Sequence, residues 1–270
     1  MWQQIQQTVS FIQQKISFVP EVGVILGSGL GSFIEDIQIV CIIPYEDIPN
    51  FPMVTVKGHK GALVFGTLGS RNVVAMQGRF HYYEGYSMQE VTFPIRVMKY
   101  LGIQCLVVSN ASGGVNPNYK IGDVVLIKDH INFFPEHPLR GYNDERLGPR
   151  FVNMSEPYNR NYILKAKEIA ILHGLNIKDG IYLGLQGPTF ETLAEYVMVK
   201  NVGADCVGMS TVPEVIVARH MDLDCLGVSV ITDMGDAFSM QEVDHEEVLK
   251  AAKNAEPVVR KLISEFIKSL

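Results

Sequence analysis

Trp2, Ile5, Val9, Ile12 and Ile16 recur at steps of three and four, so the chain opens with an amphipathic helix. Directly after it, Val22-Gly-Val-Ile-Leu26 is apolar at every side chain, the mark of a short strand covered on both faces. Strand-like runs follow at Ala62–Gly66, Asn72–Met76, Cys105–Val108, Val124–Ile127, Gly180–Leu185, Ala204–Val207 and Cys225–Ile231. Helical spacing lies between them at Val91–Leu101, Asn161–His173, Thr192–Asn201 and Glu214–His220, and His245–Leu270 closes the chain. Strands alternating with helices predict an α/β fold, a single domain over residues 1–270 with a central mixed sheet flanked by helices. The stretch Phe133–Ser155 breaks the pattern, being rich in Pro, Gly, Asn and charge. It reads as a long surface excursion, a type of loop that tends to carry function.

Composition narrows the function classes. With 47% hydrophobic and 19% charged residues, the 270-residue chain can fill a sizeable core and is not a disordered segment. A net charge of −6 argues against a general nucleic-acid binder, which needs a basic face to displace counterions. Any site for a free anion must therefore be built from placed donors. Cys41, Cys105, Cys206 and Cys225 are far apart and form no C-x-x-C pair, so buried free thiols are expected rather than a metal site. The Gln-rich start lacks the apolar core of a signal peptide, and no apolar run reaches membrane-spanning length. A cytoplasmic protein without a membrane partner is expected.

Five segments carry candidate chemistry. Gly27-Ser-Gly-Leu-Gly31 follows the first strand, where glycines allow backbone N–H groups to cradle an oxyanion or simply allow a tight turn. In Met76-Gln-Gly-Arg-Phe-His-Tyr-Tyr-Glu-Gly85, Arg79 and His81 stand two apart and share a side of an extended backbone. Arginine offers a planar fork suited to phosphate, yet a surface ion pair would also explain it. His59, between lysines, reads by itself as exposed. Ser109-Asn-Ala-Ser-Gly-Gly-Val-Asn-Pro117 reads as a second small-residue loop at a strand's C-terminal end, the edge where ligands collect in open α/β sheets. In Gly187-Pro-Thr-Phe-Glu-Thr192, Phe190 offers a stacking face and Glu191 an acceptor-only carboxylate, or a first-turn helix charge. Gly208-Met-Ser-Thr-Val-Pro-Glu214 places Ser210 between a strand and a helix, with no nucleophile-elbow spacing anywhere.

Taken together, GSGLG, QGRFHYYEGY, SNASGGVNP, GPTFET, VGMSTVPEVIVARH and HEEVL occur in the order found in the purine nucleoside phosphorylases of the trimeric, 6-oxopurine-preferring type. The chain resembles that family from about Val22 to its last helix. The resemblance implies the nucleoside phosphorylase fold and cleavage of the N-glycosidic bond of purine (deoxy)ribonucleosides by inorganic phosphate. It implies a phosphate site from Ser28, His59, Arg79, His81, the backbone at Ala111, and Ser210. Tyr83 and Met209 would hold the ribose, with His245 near its 5′-hydroxyl, and Phe190, Glu191 and Asp233 would take the purine. His81, Glu191 and Asp233 would act in the chemistry, with no metal or organic cofactor and with phosphate as co-substrate. Phe151 resembles the residue lent to a neighbouring subunit's pocket, which implies a homotrimer.

The pattern departs from the family at one place that matters. Members preferring inosine and guanosine carry S-x-I-T-N, whereas this chain reads Ser229-Val-Ile-Thr-Asp233. An amide offers donors, an ionised carboxylate only acceptors, so an anionic Asp233 would repel a purine O6. Either Asp233 is protonated when the base binds, its pKa raised by burial and by Glu191, or a 6-aminopurine is accepted besides 6-oxopurines. Methylthioadenosine phosphorylases are similar at this aspartate, although His245 suits a free 5′-hydroxyl. A non-catalytic nucleoside-binding module is the other alternative, since fold alone permits one. The stretch Met234–Asp244 is shorter than in many members, which implies a different pocket lid.

Overall fold

A computed structural model describes residues 1–55, 60–235 and 244–270. The first helix, α1 (Trp2–Gln13), buries Ile5, Thr8, Val9 and Ile12 along one stripe, as the spacing predicts. Strand β1 (Val22–Ile25) is buried at all four positions and lies between two parallel neighbours, β4 (Arg71–Gln77) and β5 (Cys105–Gly114). Beyond β4, the hairpin partner β3 (Ala62–Leu68) and then β2 (Gln38–Pro44) extend the sheet antiparallel. The apolar spacing does not predict β2, an edge strand with Ile39, Val40 and Ile42 left exposed.

On the other side of β5 the remaining strands are β6 (Val124–Asn132), β7 (Ile177–Gly184), β8 (Cys206–Gly208) and β9 (Asp224–Met234). The sheet order is β2-β3-β4-β1-β5-β8-β7-β6-β9, and β9 also pairs with β5, so the last five strands close into a ring. Parallel and antiparallel pairs coexist, which makes this the mixed α/β architecture expected. Helices α2 (Met88–Val91), α3 (Phe93–Leu101), α4 (Arg160–His173), α5 (Leu193–Asn201), α6 (Val212–His220) and α7 (His245–Lys268) cover the sheet. The helix expected over Val91–Leu101 thus begins earlier and breaks at Thr92, just ahead of Pro94. Residues 133–159 form no helix or strand, in line with a long excursion.

One expectation is corrected. Ser109–Gly114 is not a loop: β5 runs through it, paired with β9 from Cys105↔Asp224 to Gly114↔Met234. Small residues there let two strands and the nearby β1 end come close. Gly27 lies so near β5 that a Cβ would stand 2.7 Å from both Asn110 Cα and Ser109 O. Gly27→Ala is therefore expected to cost about 1–3 kcal/mol through backbone displacement. Thermal unfolding checks this, an unchanged midpoint counting against so tight an approach.

All four cysteines are free, three of them buried, as the spacing predicts. Among the described residues no group of three or more His, Cys, Asp or Glu is placed to hold a metal ion, and no helix is long and apolar enough to cross a membrane.

Candidate active site

The C-terminal ends of β1, β4, β5 and β9 point to one side of the sheet, and the ends of β5 and β9, with the segments that follow β1, β4, β7 and β8, enclose a cavity of about 280 Å³. Ser28, Arg79, His81, Ala111 and Ser210 line it, as do Tyr83, Met209, His245, Phe190, Glu191 and Asp233. Eleven of the thirteen expected site residues therefore meet in one space. Of the other two, His59 lies outside the described residues, and Phe151 stands 89% exposed on the excursion, away from this cavity. Residues 236–243, and with them most of the expected lid, also lie outside the described residues.

One end of the cavity is cationic. Arg79, 1% exposed, sits just past β4. Its Nε meets Glu214 Oε1 at 3.0 Å, and its Nη1 donates to Ser109 O and Ser210 Oγ, both at 2.9 Å. Glu214 is itself buried in the first turn of α6, so a buried charge pair fixes the guanidinium before any ligand arrives. Ser210 is followed by Thr211, whose φ of 70° is strained for a β-branched residue. Asn110 Nδ2 donates to Thr211 Oγ1 at 2.8 Å, and Ser229 Oγ donates to Asn110 Oδ1 at 2.6 Å. These bonds tie the strained turn to the interior of the ring of strands.

His81 faces the same end. Its backbone N–H donates to Glu84 Oε1 at 2.8 Å, and its Nδ1 lies 3.0 Å from the same oxygen. Burial lowers the His81 pKa, with Glu84 opposing that effect. Burial also pushes Glu84 up, but hydrogen bonds from His81 and Thr55 outweigh it and hold the carboxyl at about 2. An ionised Glu84 against Nδ1 orients the ring, which stacks on Tyr83 with centroids 4.7 Å apart. Tyr83 is pushed up to about 12, chiefly by burial, and stays a neutral phenol.

The opposite end is acidic and aromatic. Phe190 presents a partly open ring, and Glu191 and Asp233 bring two carboxyl groups to the cavity wall. Burial, followed by the charge of Asp233, pushes Glu191 up to about 7. Burial likewise raises Asp233, against donors on Thr232 and Tyr196. Thr232 Oγ1 lies 3.0 Å from Asp233 Oδ1, and Gly113 leaves the carboxyl its room, since a Cβ there would stand 2.8 Å from Oδ2. His245, the first residue of α7, also lines the cavity.

The spacing arguments do not single out Glu84, Glu214 or Tyr196, because each acts through a neighbour. A usable signal existed for two of them. Glu84 follows His81 at a capping distance, and Glu214 is an acid within an otherwise apolar helix start.

A cavity with placed cationic and hydroxyl donors at one end and carboxyls beside an aromatic face at the other can hold an anion and a nitrogen heterocycle together. The Phosphorylase superfamily model matches residues 21–268. The chain is 46% identical to purine nucleoside phosphorylase 1 of Geobacillus stearothermophilus, covering 98% of this chain and 97% of that one. It is 47% identical to the Mus musculus purine nucleoside phosphorylase, over 100% and 96% of the two chains. Among solved structures, isoform 2 of the Schistosoma mansoni purine nucleoside phosphorylase, in complex with cytosine and ribose-1-phosphate, superposes with a TM-score of 0.95 at 42% identity, covering 100% of this chain and 97% of that one. The Schistosoma mansoni enzyme in complex with adenosine gives 0.94 at 42% identity, over 99% and 97%.

Proposed function

The chain belongs to the phosphorylase superfamily and, within it, to the purine nucleoside phosphorylases, and on that footing we propose that this cavity cleaves purine nucleosides with inorganic phosphate, accepting 6-aminopurines as well as 6-oxopurines. The observation that carries this is the convergence of Arg79, His81 and Ser210 at one end of the cavity and Glu191 and Asp233 at the other.

Phosphate would lie against Arg79, His81, Ser210, Ser28 and the backbone at Ala111, with His59 as a further donor. The ribose would rest between Tyr83, Met209 and His245. The C1′–N9 bond breaks with its electron pair going to the purine, and a phosphate oxygen forms the new bond to C1′. The products are free base and (deoxy)ribose 1-phosphate. Holding the two reactants in register contributes up to roughly 7–11 kcal/mol of barrier lowering. The rest comes from groups facing the departing purine, where negative charge develops. Glu191 accepts from N1–H of a 6-oxopurine, and a protonated Asp233 donates toward O6 and N7. Phosphate is the co-substrate, and the placed donors of the chain carry its charge without a metal or organic cofactor. The setting proposed is the cytoplasm, in a homotrimer where the solvent-exposed Phe151 enters a neighbouring subunit's pocket.

The test is base release from inosine, guanosine and adenosine by the purified protein, with and without phosphate. All three should yield base only when phosphate is present, together with a pentose 1-phosphate. Release without phosphate would mean a hydrolase, and no release at all a binding module.

A further inference from the structure

At the base end one hydroxyl serves two carboxyl groups. Tyr196, in the first turn of α5, donates to Asp233 Oδ2 at 3.3 Å. The same hydroxyl interacts with Glu191, which lies just ahead of that helix. Its ring is 6% exposed and packs with Val115, Leu183, Val199 and Val207, so the oxygen has little freedom to move. Gly235, just past the end of β9, lies close against the ring, where any Cβ would strike it. With Thr232 Oγ1 on Oδ1 and Tyr196 on Oδ2, both oxygens of Asp233 have a donor and the carboxyl plane is set.

We propose that Tyr196 is a positioning and specificity-determining residue, whose hydroxyl joins Asp233 and Glu191 into a pair holding one proton, the place of that proton deciding whether a 6-oxo or a 6-amino purine is read. This deepens the base-end assignment above and rests on it. For a 6-oxopurine the proton sits on Asp233, which donates to O6 or N7, while ionised Glu191 accepts from N1–H. For a 6-aminopurine it sits on Glu191, which donates to N1, while ionised Asp233 accepts from the amino group. The number of protons is the same in both states. The phenol has a single proton to donate, and its bond runs to Asp233 Oδ2, so it favours the state in which Asp233 is ionised and Glu191 holds the shared proton.

The surroundings favour a single proton over two free carboxylates. Two carboxyls sharing a site cannot both ionise readily. Burial raises both groups, and Asp233 raises Glu191 further. The other titratable groups nearby are Glu195 on α5, and Asp244, His245, Glu247 and Lys250 at the start of α7. Tyr196 itself is shifted upward, first by burial and then by Asp233, so it remains protonated.

The experiment measures kcat/KM for adenosine and inosine between about pH 5.5 and 8.5, where the ratio of the two cancels the ionisations of phosphate and His81. In the parent the ratio should stay flat, because both substrates draw on the same one-proton pair. As the structure has Tyr196 donating to Asp233, the state for a 6-amino base, Tyr196→Phe should lower adenosine relative to inosine about tenfold, one hydrogen bond to a charged group. In an Asp233→Asn background the same substitution should leave the ratio unchanged, since the shared proton is gone. Tyr196→Phe keeps the buried ring, and an unchanged melting midpoint and oligomeric state establish that it folds. A parent ratio sloping about tenfold per pH unit would overturn the proposal, because it assigns the titration to one carboxyl. An equal loss for both substrates in Tyr196→Phe would overturn it too, leaving Tyr196 a packing role. If Glu191→Gln left both substrates untouched, the base-end assignment itself would fail and the inference with it.

Discussion

Replacing Arg79 with alanine is expected to lower phosphate-dependent base release about 10³-fold, the upper end of what a single preorganised donor contributes. The guanidinium is held from three sides, by Glu214 at 3.0 Å and by Ser109 O and Ser210 Oγ at 2.9 Å. An incoming dianion therefore meets a cation that needs no reorganisation. The loss should fall on kcat as well as on the KM for phosphate, because the same contact positions the attacking oxygen. Folding complicates the variant, since Glu214 is 3% exposed and would be left as an uncompensated buried charge. Breaking such a pair costs about 3–5 kcal/mol. The companion Arg79→Met with Glu214→Gln removes both charges at similar volume and should recover most of the melting midpoint without recovering activity. Thermal unfolding and initial rates at varied phosphate check both halves. Activity restored in the neutral pair would mean that Arg79 serves the fold and not the anion.

Particular elements show what was legible in the chain beforehand. Strand β1 could be read because four successive buried residues leave no polar face, and α1 and α7 because their apolar stripes run for several turns. The continuation of β5 could not. Ser, Asn and Gly are turn formers by local chemistry, and only the long-range partners Ser229 and Thr211 make Asn110 and Ser112 tolerable inside a sheet. Closure of β9 onto β5 is hidden for the same reason, since pairing over a hundred residues leaves no local trace. In the site, Arg79 and Glu191 could be named because their side chains themselves suit an anion or a base edge, and Asp233 because it stands where family members preferring inosine and guanosine carry Asn. Glu84, Glu214 and Tyr196 could not, because their effect depends on which residue each touches: His81, Arg79, and the carboxyl pair. Local pattern reports what a side chain can do, and the fold decides what stands opposite.

Asp233→Asn is expected to lower adenosine cleavage about 10²-fold relative to inosine, the scale on which a polar site rejects a base whose donors and acceptors are mismatched. The substitution is nearly isosteric, so the gap left by Gly113 and the packing of Tyr196 against Gly235 should survive. The hydrogen-bond roles do not survive. Thr232 Oγ1 and Tyr196 each offer a donor to one oxygen of Asp233, so an amide nitrogen must face one of them and its hydroxyl must turn round to accept. The amide then presents a permanent donor to O6 and N7, which suits inosine, and it repels a 6-amino group. A second measurement follows from the raised Asp233 pKa. A carboxyl raised in the folded state weakens the fold where it must ionise, so its penalty is absent below the unfolded pKa and complete above the folded one. An uncharged amide at this position carries no such penalty. The melting midpoint of the variant should therefore exceed the parent's at alkaline pH, and the difference should shrink on acidification toward the ordinary aspartate range. Rates with the two nucleosides and unfolding across pH check these consequences separately. Were adenosine retained in full while the stability difference still followed pH, Asp233 would be a buried acid of the fold with no part in reading the base.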